Sequence, residues 1–90
     1  MFRIMIVCTG NICRSPMAEY MLKSALRDAE VTEVEVCSRA LSEGEAGNGI
    51  DPRAASTLRA HGLDASDHVA TLIGADELGA VDLVLAMDTD

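Results

Sequence analysis

The feature that most constrains the fold is a nearly continuous apolar run over residues 2–8, Phe-Arg-Ile-Met-Ile-Val-Cys. A run of this kind is typical of a parallel strand that lies inside a sheet and is covered on both faces. Parallel strands are joined by crossover connections, which are usually helices. The first eight residues therefore favour an α/β protein.

A helix is predicted to follow this strand after a short loop. Ser15 and Pro16 have the pattern of an N-cap with proline at the first helical position. Small and apolar residues then recur at helical spacing, which predicts one face that packs on the sheet. They are Ala18, Met21, Leu22, Ala25, Leu26 and Ala29. Glu19 and Lys23 are four residues apart and are expected to pair on the opposite, polar face.

Three further segments continue the alternation of strands and helices. Residues 33–38 alternate strictly, which predicts a strand with one exposed face at a sheet edge. Asp51 and Pro52 open a second helix that ends at Gly62. Residues 81–88 are apolar enough for an internal third strand. Strands that alternate with helices predict an α/β fold with a parallel sheet and right-handed crossovers.

The size and charge of the chain limit its function classes. Its 90 residues make at most one small domain, and 49% hydrophobic residues argue against disorder. The formal net charge of −8 argues against nucleic acid or an acidic membrane surface as the main partner. The apolar start is too short to span a bilayer and lacks an export cleavage site. Three cysteines, an odd number, give no disulfide framework, so we expect a cytoplasmic protein.

The loop between the first strand and the first helix has the chemistry of an anion site. Active sites of such sheets lie at the carboxyl ends of the strands, and Cys8 lies at that end of the first strand. A short loop that turns directly into a helix points backbone N–H groups inward, and the helix dipole adds its positive end. These donors favour a thiolate at Cys8, and Arg14 can offer two N–H groups to a tetrahedral oxyanion. A thiolate beside an arginine suits attack on a phosphoryl group.

Residues 7–19, Val-Cys-Thr-Gly-Asn-Ile-Cys-Arg-Ser-Pro-Met-Ala-Glu, closely resemble the phosphate-binding loop of the low molecular weight protein tyrosine phosphatases. The similarity extends to the serine that ends the second strand, Asp-Pro-Arg-Ala opening a helix, His-Val-Ala at residues 68–70 and Ala-Met-Asp at residues 86–88. The resemblance implies hydrolysis of phosphotyrosine in proteins through a cysteinyl-phosphate intermediate, with no metal or cofactor. It also implies a three-layer, doubly wound parallel sheet with strand order 2-1-3-4.

The resemblance assigns roles to the residues of the loop. Cys8 is the expected nucleophile, and Arg14 is expected to bind the phosphate and its transition state. Ser15 is expected to bond the thiolate and to help the phosphorylated cysteine leave. The loop residues are expected to supply backbone N–H donors to inorganic phosphate or a similar oxyanion; they are Thr9, Gly10, Asn11, Ile12 and Cys13.

The residues that support the loop are less fully determined. The resemblance implies that Asn11 holds the strained loop backbone with help from Ser38 and His68, although His68 also fits a purely structural role. Cys13 is either a loop filler or a redox partner that pairs reversibly with Cys8 and protects it from overoxidation. Two other candidates have simpler interpretations, a small core residue for Cys37 and a solvated helix-end histidine for His61.

The family pattern continues beyond these residues. In the family, the third strand is followed by another helix, a fourth strand, a general-acid loop and a last helix. We therefore expect residues 1–90 to be a single, incomplete phosphatase domain whose natural chain continues past Asp90. Asp51 is not the general acid, because it is explained as a helix cap, and Asp88 and Asp90 are poor substitutes. An open edge on the third strand would also favour self-association.

Two other functions stay open. Thioredoxin-coupled arsenate reductases share this loop and fold, but they add a pair of cysteines after the third strand, which this sequence lacks. The other alternative is a non-catalytic remnant that only binds phosphate. Assays with an aryl phosphate, and with arsenate plus thioredoxin, separate the three functions.

Overall fold

The computed structural model describes residues 1–87, in which strands and helices alternate as predicted. In chain order the elements are β1 (Phe2–Cys8), α1 (Arg14–Asp28), β2 (Val34–Ala40), α2 (Pro52–Ala60), a short 3-10 turn (Glu77–Ala80) and β3 (Leu83–Ala86). Within this part of the chain, no helix has the length and apolar character needed to cross a membrane.

The three strands form one parallel sheet in the order β2-β1-β3, which confirms the predicted order for the strands described. β1 is the central strand, and its second half is buried, with Met5 and Ile6 among the largest fully buried side chains. Cys8 pairs with Ala40, so β2 extends two residues past its predicted end. The sheet therefore places Cys8 at its carboxyl edge, between β2 and the start of α1.

β3 differs from the prediction in length and in burial. It spans Leu83–Ala86 rather than residues 81–88, and Asp88 lies outside the described residues. All four of its residues are exposed: Leu83 and Val84 by 41% each and Leu85 by 38%. In the sheet that residues 1–87 form, β3 is an end strand, because β1 pairs with one of its edges and no second described strand pairs with the other.

The start of α1 also differs from the prediction. The helix begins at Arg14 with Cys13 as N-cap, so the assignment of Ser15 as N-cap is wrong. Ser15 is instead fully buried, because its hydroxyl is held inside the preceding loop. Pro16 still falls in the first turn, where a missing N–H costs no intrahelical hydrogen bond.

The buried face of α1 coincides only in part with the face that apolar spacing predicts. Glu19, assigned to the polar face, is buried. Of the apolar set, three residues are half-buried, Ala18, Leu22 and Leu26, and three are exposed, Met21, Ala25 and Ala29. The predicted pair of Glu19 with Lys23 is nevertheless present, with the Lys23 Nζ 2.6 Å from Glu19 Oε2. The polar residues of this helix that face the sheet hold the loop in place through hydrogen bonds, as described below.

Both helices end in the same hydrogen-bonded turn. In α2, which Asp51 caps as predicted, Gly62 N–H donates to Arg59 C=O and Leu63 N–H donates to Leu58 C=O. This is the Schellman arrangement, and Gly62 adopts the left-handed φ of 78° that it requires. α1 ends in the same way, but there the left-handed residue is Glu30, with φ of 59°.

The two helix ends give a matched test of backbone strain. We expect Glu30→Gly to raise the free energy of unfolding by up to about 1 kcal/mol, because a residue with a Cβ is strained in this conformation. Gly62→Ala should lower it by about 1 kcal/mol for the same reason. Urea unfolding followed by circular dichroism measures both changes.

Glu30→Gln is the control for charge, since an acidic residue near a helix C-terminus is itself unfavourable. If Glu30→Gln stabilises the protein as much as Glu30→Gly, the charge rather than the backbone accounts for the effect.

Candidate active site

The thiol of Cys8 lies buried where β1 passes into the loop of residues 9–13. Its sulfur contacts the Ser15 hydroxyl, with Oγ 2.9 Å from Sγ, and the Asn11 N–H, with N 3.2 Å from Sγ. Ser15 Oγ already accepts a hydrogen bond from Asn11 Nδ2 at 2.8 Å, so its own proton is available to the sulfur. Two donors directed at one sulfur stabilise negative charge on it.

Asn11 connects the loop to the rest of the molecule. It is fully buried and adopts a left-handed φ of 57°. Its side chain donates to Ser15, and its Oδ1 accepts the N–H of Thr71 at 3.0 Å. Its carbonyl oxygen accepts from His68 Nε2 at 2.7 Å, so Nε2 is the protonated nitrogen of that ring. The residue is thus held on its amide, its carbonyl and both ends of its side chain.

The segment of residues 68–73, here called the strap, brings His68 and Thr71 to the loop. It pairs with the end of β2, where Ala40 N–H donates to Thr71 C=O at 2.7 Å and Ile73 N–H donates to Ala40 C=O at 2.9 Å. The sheet therefore holds the strap independently of the contacts that the strap makes with Asn11. This arrangement places His68 beside the loop, as the sequence analysis expected.

Ser38 contacts a partner that the sequence analysis missed. Its hydroxyl proton is donated to Glu19 Oε1 at 2.5 Å, while Lys23 binds the other oxygen of the same carboxylate. Ser38 lies on β2 opposite Ile6, and Glu19 lies one helical turn after Ser15. The bond therefore ties the first turns of α1 to the sheet, and a direct contact of Ser38 with Asn11 stays a prediction. Apolar spacing assigned Glu19 to the opposite, polar face of the helix, so no signal in the sequence pointed to this contact.

The buried polar side chains of the described residues all belong to these contacts. They are Asn11, Ser15, Glu19, Ser38 and His68. Within residues 1–87, every buried side-chain nitrogen or oxygen has a hydrogen-bond partner. Burying polar groups costs free energy unless they are paired, so their concentration here marks a site rather than an ordinary core.

The remaining candidate residues differ in position and in exposure. Arg14 is exposed at the first position of α1, and Cys13 is exposed beside it. Cys37 lies apart from them on β2, where burial raises the pKa of its thiol, in keeping with a small core residue. No three His, Cys, Asp or Glu side chains among the described residues are grouped so as to hold a metal ion.

Residues 41–51, here called the rim segment, follow the loop on its outer side. Leu41 N–H donates to Cys8 C=O at 3.0 Å, and Ser42 N–H donates to Thr9 C=O at 3.0 Å. At the other end, Asp51 N–H donates to Ile12 C=O at 2.7 Å. These bonds engage the carbonyl groups of the loop from outside.

The geometry supplies the parts of an anion site in a short stretch of chain. A buried sulfur with two donors lies at the carboxyl edge of a parallel sheet, and the N-terminus of a 15-residue helix begins six residues later. Unpaired N–H groups at a helix N-terminus and the helix dipole attract anions. The fold and the site together define an α/β protein whose first strand ends in a cysteine-containing loop that leads directly into a helix N-terminus.

Comparison with known proteins is consistent with this class. The family model described as "Low molecular weight phosphotyrosine protein phosphatase" matches residues 3–90. The low molecular weight phosphotyrosine protein phosphatase 1 of Drosophila melanogaster is 41% identical over 88 residues, which are 98% of this chain and 56% of that protein. The low molecular weight protein-tyrosine phosphatase A of Mycobacterium bovis is 45% identical over 86 residues, 94% of this chain and 52% of that protein.

Among solved structures, the crystal structure of Primo-1 superposes with a TM-score of 0.93 at 40% sequence identity, over 98% of this chain and 57% of that one. The chain belongs to the low molecular weight phosphotyrosine protein phosphatase family. It spans about half the length of the curated relatives it matches.

The hydrogen bonds of Asn11 give a test of the loop. We expect both Asn11→Ala and Asn11→Gly to lower the free energy of unfolding by roughly 1–3 kcal/mol, because each leaves buried partners unpaired. Asn11→Ala should be the less stable of the two by about 1 kcal/mol, since only alanine is strained at a left-handed φ. Urea unfolding of the two variants side by side measures the difference; equal stabilities would show that the left-handed backbone of Asn11 is not maintained.

Proposed function

We propose that this protein is a phosphatase that hydrolyses phosphotyrosine in proteins through a cysteinyl-phosphate intermediate. The observation that carries the proposal is the sulfur of Cys8, which lies beside a helix N-terminus and within 2.9 Å of the Ser15 hydroxyl and 3.2 Å of the Asn11 amide. A buried sulfur with two hydrogen-bond donors is prepared to act as a thiolate nucleophile. Membership in a family named for phosphotyrosine protein phosphatases supports the proposed substrate class.

In the first step, the thiolate of Cys8 attacks the phosphorus atom. An S–P bond forms while the bond from phosphorus to the tyrosine oxygen breaks, and the phenol oxygen leaves with the electron pair. Arg14, at the first position of α1, is proposed to bind two phosphate oxygens with its planar guanidinium group. The loop N–H groups stabilise the charge that develops on the transferred group.

In the second step, water attacks the phosphorus of the cysteinyl phosphate. The S–P bond breaks, its electron pair returns to sulfur, and inorganic phosphate is released. Ser15 is proposed to donate its proton toward the departing sulfur, because its Oγ accepts from Asn11 and has that proton free.

The phenol that leaves in the first step needs a proton from a general acid, which contributes a factor of about 10²–10⁴ to the rate. Asp88 and Asp90, considered for that role from the sequence, lie outside the described residues.

Several finer expectations remain proposals. Inorganic phosphate or a similar oxyanion is proposed to occupy the loop. Self-association is proposed to use β3, whose apolar side chains are exposed at the end of the described sheet. The cytoplasmic location rests only on the odd number of cysteines, and neither nucleic acid nor membrane is an expected partner of a chain with net charge −8.

The roles proposed for Cys8 and Arg14 predict different losses. Cys8→Ser should abolish turnover of p-nitrophenyl phosphate but keep part of the binding of phosphate or vanadate, because the N–H donors and Arg14 remain. Arg14→Ala should lower both, with turnover reduced about 100-fold or more. Steady-state kinetics and isothermal titration calorimetry measure these effects. A nitrophenol leaves readily as its anion, so this substrate does not depend on a general acid.

Arg27→Ala is the matched control, because Arg27 lies in the last turn of the same helix, far from the loop. It should leave turnover and binding unchanged. Undiminished turnover in Cys8→Ser would overturn the mechanism. Phosphate binding without turnover in the unmodified chain would favour the non-catalytic alternative, and reduction of arsenate with thioredoxin would favour the reductase.

Mild peroxide gives a separate test of Cys13. We expect oxidation to form a reversible Cys8–Cys13 disulfide, with activity recovered by dithiothreitol, because the thiolate of Cys8 is oxidised first and Cys13 is close in sequence. In Cys13→Ser the same treatment should give irreversible loss. Peptide mapping that finds only sulfinic or sulfonic acid at Cys8, with Cys13 reduced, would contradict this expectation.

A further inference from the structure

The aromatic ring of Tyr20 packs against His68, the strap residue that binds the loop. The two ring centroids are 6.4 Å apart, and the ring planes are nearly perpendicular, at 83°. This is the edge-to-face geometry that aromatic pairs prefer, with centroids about 4.5–7 Å apart. Tyr20 therefore connects α1 to the strap at the ring whose Nε2 donates to the carbonyl oxygen of Asn11.

A second contact holds the Tyr20 ring on α1. The Nζ of Lys23 lies over this ring, 5.3 Å from its centroid, which is a cation–π arrangement. Lys23 also binds Glu19, the carboxylate that accepts the hydroxyl proton of Ser38. Tyr20 is thus held from the helix side by Lys23 and packs against His68 of the strap.

Both contacts involve the aromatic ring of Tyr20. Burial and the nearby carboxylate of Glu19 raise the pKa of the Tyr20 phenol, so the side chain stays uncharged at physiological pH. Since the ring makes the contacts, phenylalanine at this position is expected to preserve them. Leucine, an aliphatic side chain, is expected to lose the edge-to-face contact with His68.

The contact with His68 reaches the sulfur of Cys8 through one further residue. His68 Nε2 donates to the carbonyl oxygen of Asn11 at 2.7 Å, and the N–H of Asn11 lies 3.2 Å from Cys8 Sγ. Asn11 has a left-handed backbone conformation, so the directions of its N–H and carbonyl groups depend on the partners that hold it. A displacement of the imidazole would therefore move the donor that faces the sulfur.

We propose that Tyr20 is a positioning residue for the nucleophile: its ring holds the His68 imidazole against Asn11, which then directs its N–H at Cys8. The kinetic consequence rests on the proposed function, because it assumes that Cys8 attacks a phosphoryl group. The structural consequence does not, since the order of the Asn11 backbone can be measured without turnover.

Amide hydrogen exchange followed by NMR tests the structural consequence. We expect Tyr20→Leu to speed exchange of the Asn11 N–H by about two- to tenfold, the range that loss of an aromatic pair gives, and Tyr20→Phe to leave it unchanged. The N–H of Ile6, fully buried in the central strand, reports unfolding of the whole sheet and should change less. Equal acceleration at Asn11 and Ile6, or faster exchange in Tyr20→Phe as well, would overturn the proposal.

Turnover of p-nitrophenyl phosphate tests the kinetic consequence. Tyr20→Leu should lower kcat/KM by about two- to tenfold, and Tyr20→Phe should keep it at the original value. Met21→Ala is the matched control, because it shortens the next side chain of the same helix, which is 47% exposed, and it should leave kcat/KM unchanged.

A double-mutant cycle shows whether Tyr20 acts through His68. In a His68→Gln chain, which lacks the imidazole ring, Tyr20→Leu should cause no further loss of kcat/KM. Equal losses from Tyr20→Leu with and without His68 would contradict the proposal. If the unmodified chain has no turnover, the proposed function fails, and hydrogen exchange at Asn11 still decides the role of Tyr20.

Discussion

The candidate site depends on the left-handed backbone of Asn11. With φ of 57°, this residue directs its own N–H to the sulfur of Cys8 and its carbonyl to His68. Such a conformation costs an ordinary residue about 1–2 kcal/mol, so neighbouring contacts must hold it. The side-chain amide supplies them, because it bonds Ser15 on one side and the N–H of Thr71 on the other. One residue thereby fixes the loop, the start of α1 and the strap at once.

A consequence is that the protein buries polar groups where a small domain usually buries apolar ones. The face of α1 that meets the sheet carries Ser15 and Glu19, and Ser38 of β2 donates a hydrogen bond to Glu19. Each of these groups is paired, which offsets the cost of burial. Met21, predicted for the apolar face, is exposed. Burial along α1 is therefore set by the polar contacts that support the loop as well as by apolar spacing.

An anion at the proposed site would be bound by a protein that is itself acidic. A net charge of −8 is unfavourable for phosphate at long range, so attraction must come from groups within a few ångströms. Backbone N–H groups of a loop and a helix N-terminus provide it without adding charge. Arg14 adds the single formal positive charge within the sequence of the loop and the first helical turn. Glu45, whose Cγ would lie 3.2 Å from a Cβ atom added to Gly10, adds a negative charge to the surroundings of the site.

The sequence by itself determined the order of elements, the central position of β1 and the placement of Cys8 and Arg14 at the two ends of one loop. These follow from local signals: an apolar run, helix caps such as Asp51, and residue types a few positions apart in one loop. The tertiary structure decided which face of α1 is buried, which partner Ser38 has, and that Glu45 packs on Gly10. The last two contacts join residues 19 and 35 positions apart, and their separation in space is set by strand register and loop packing. Local pattern carries no information on those distances, because it reports only what a segment prefers before its neighbours are in place.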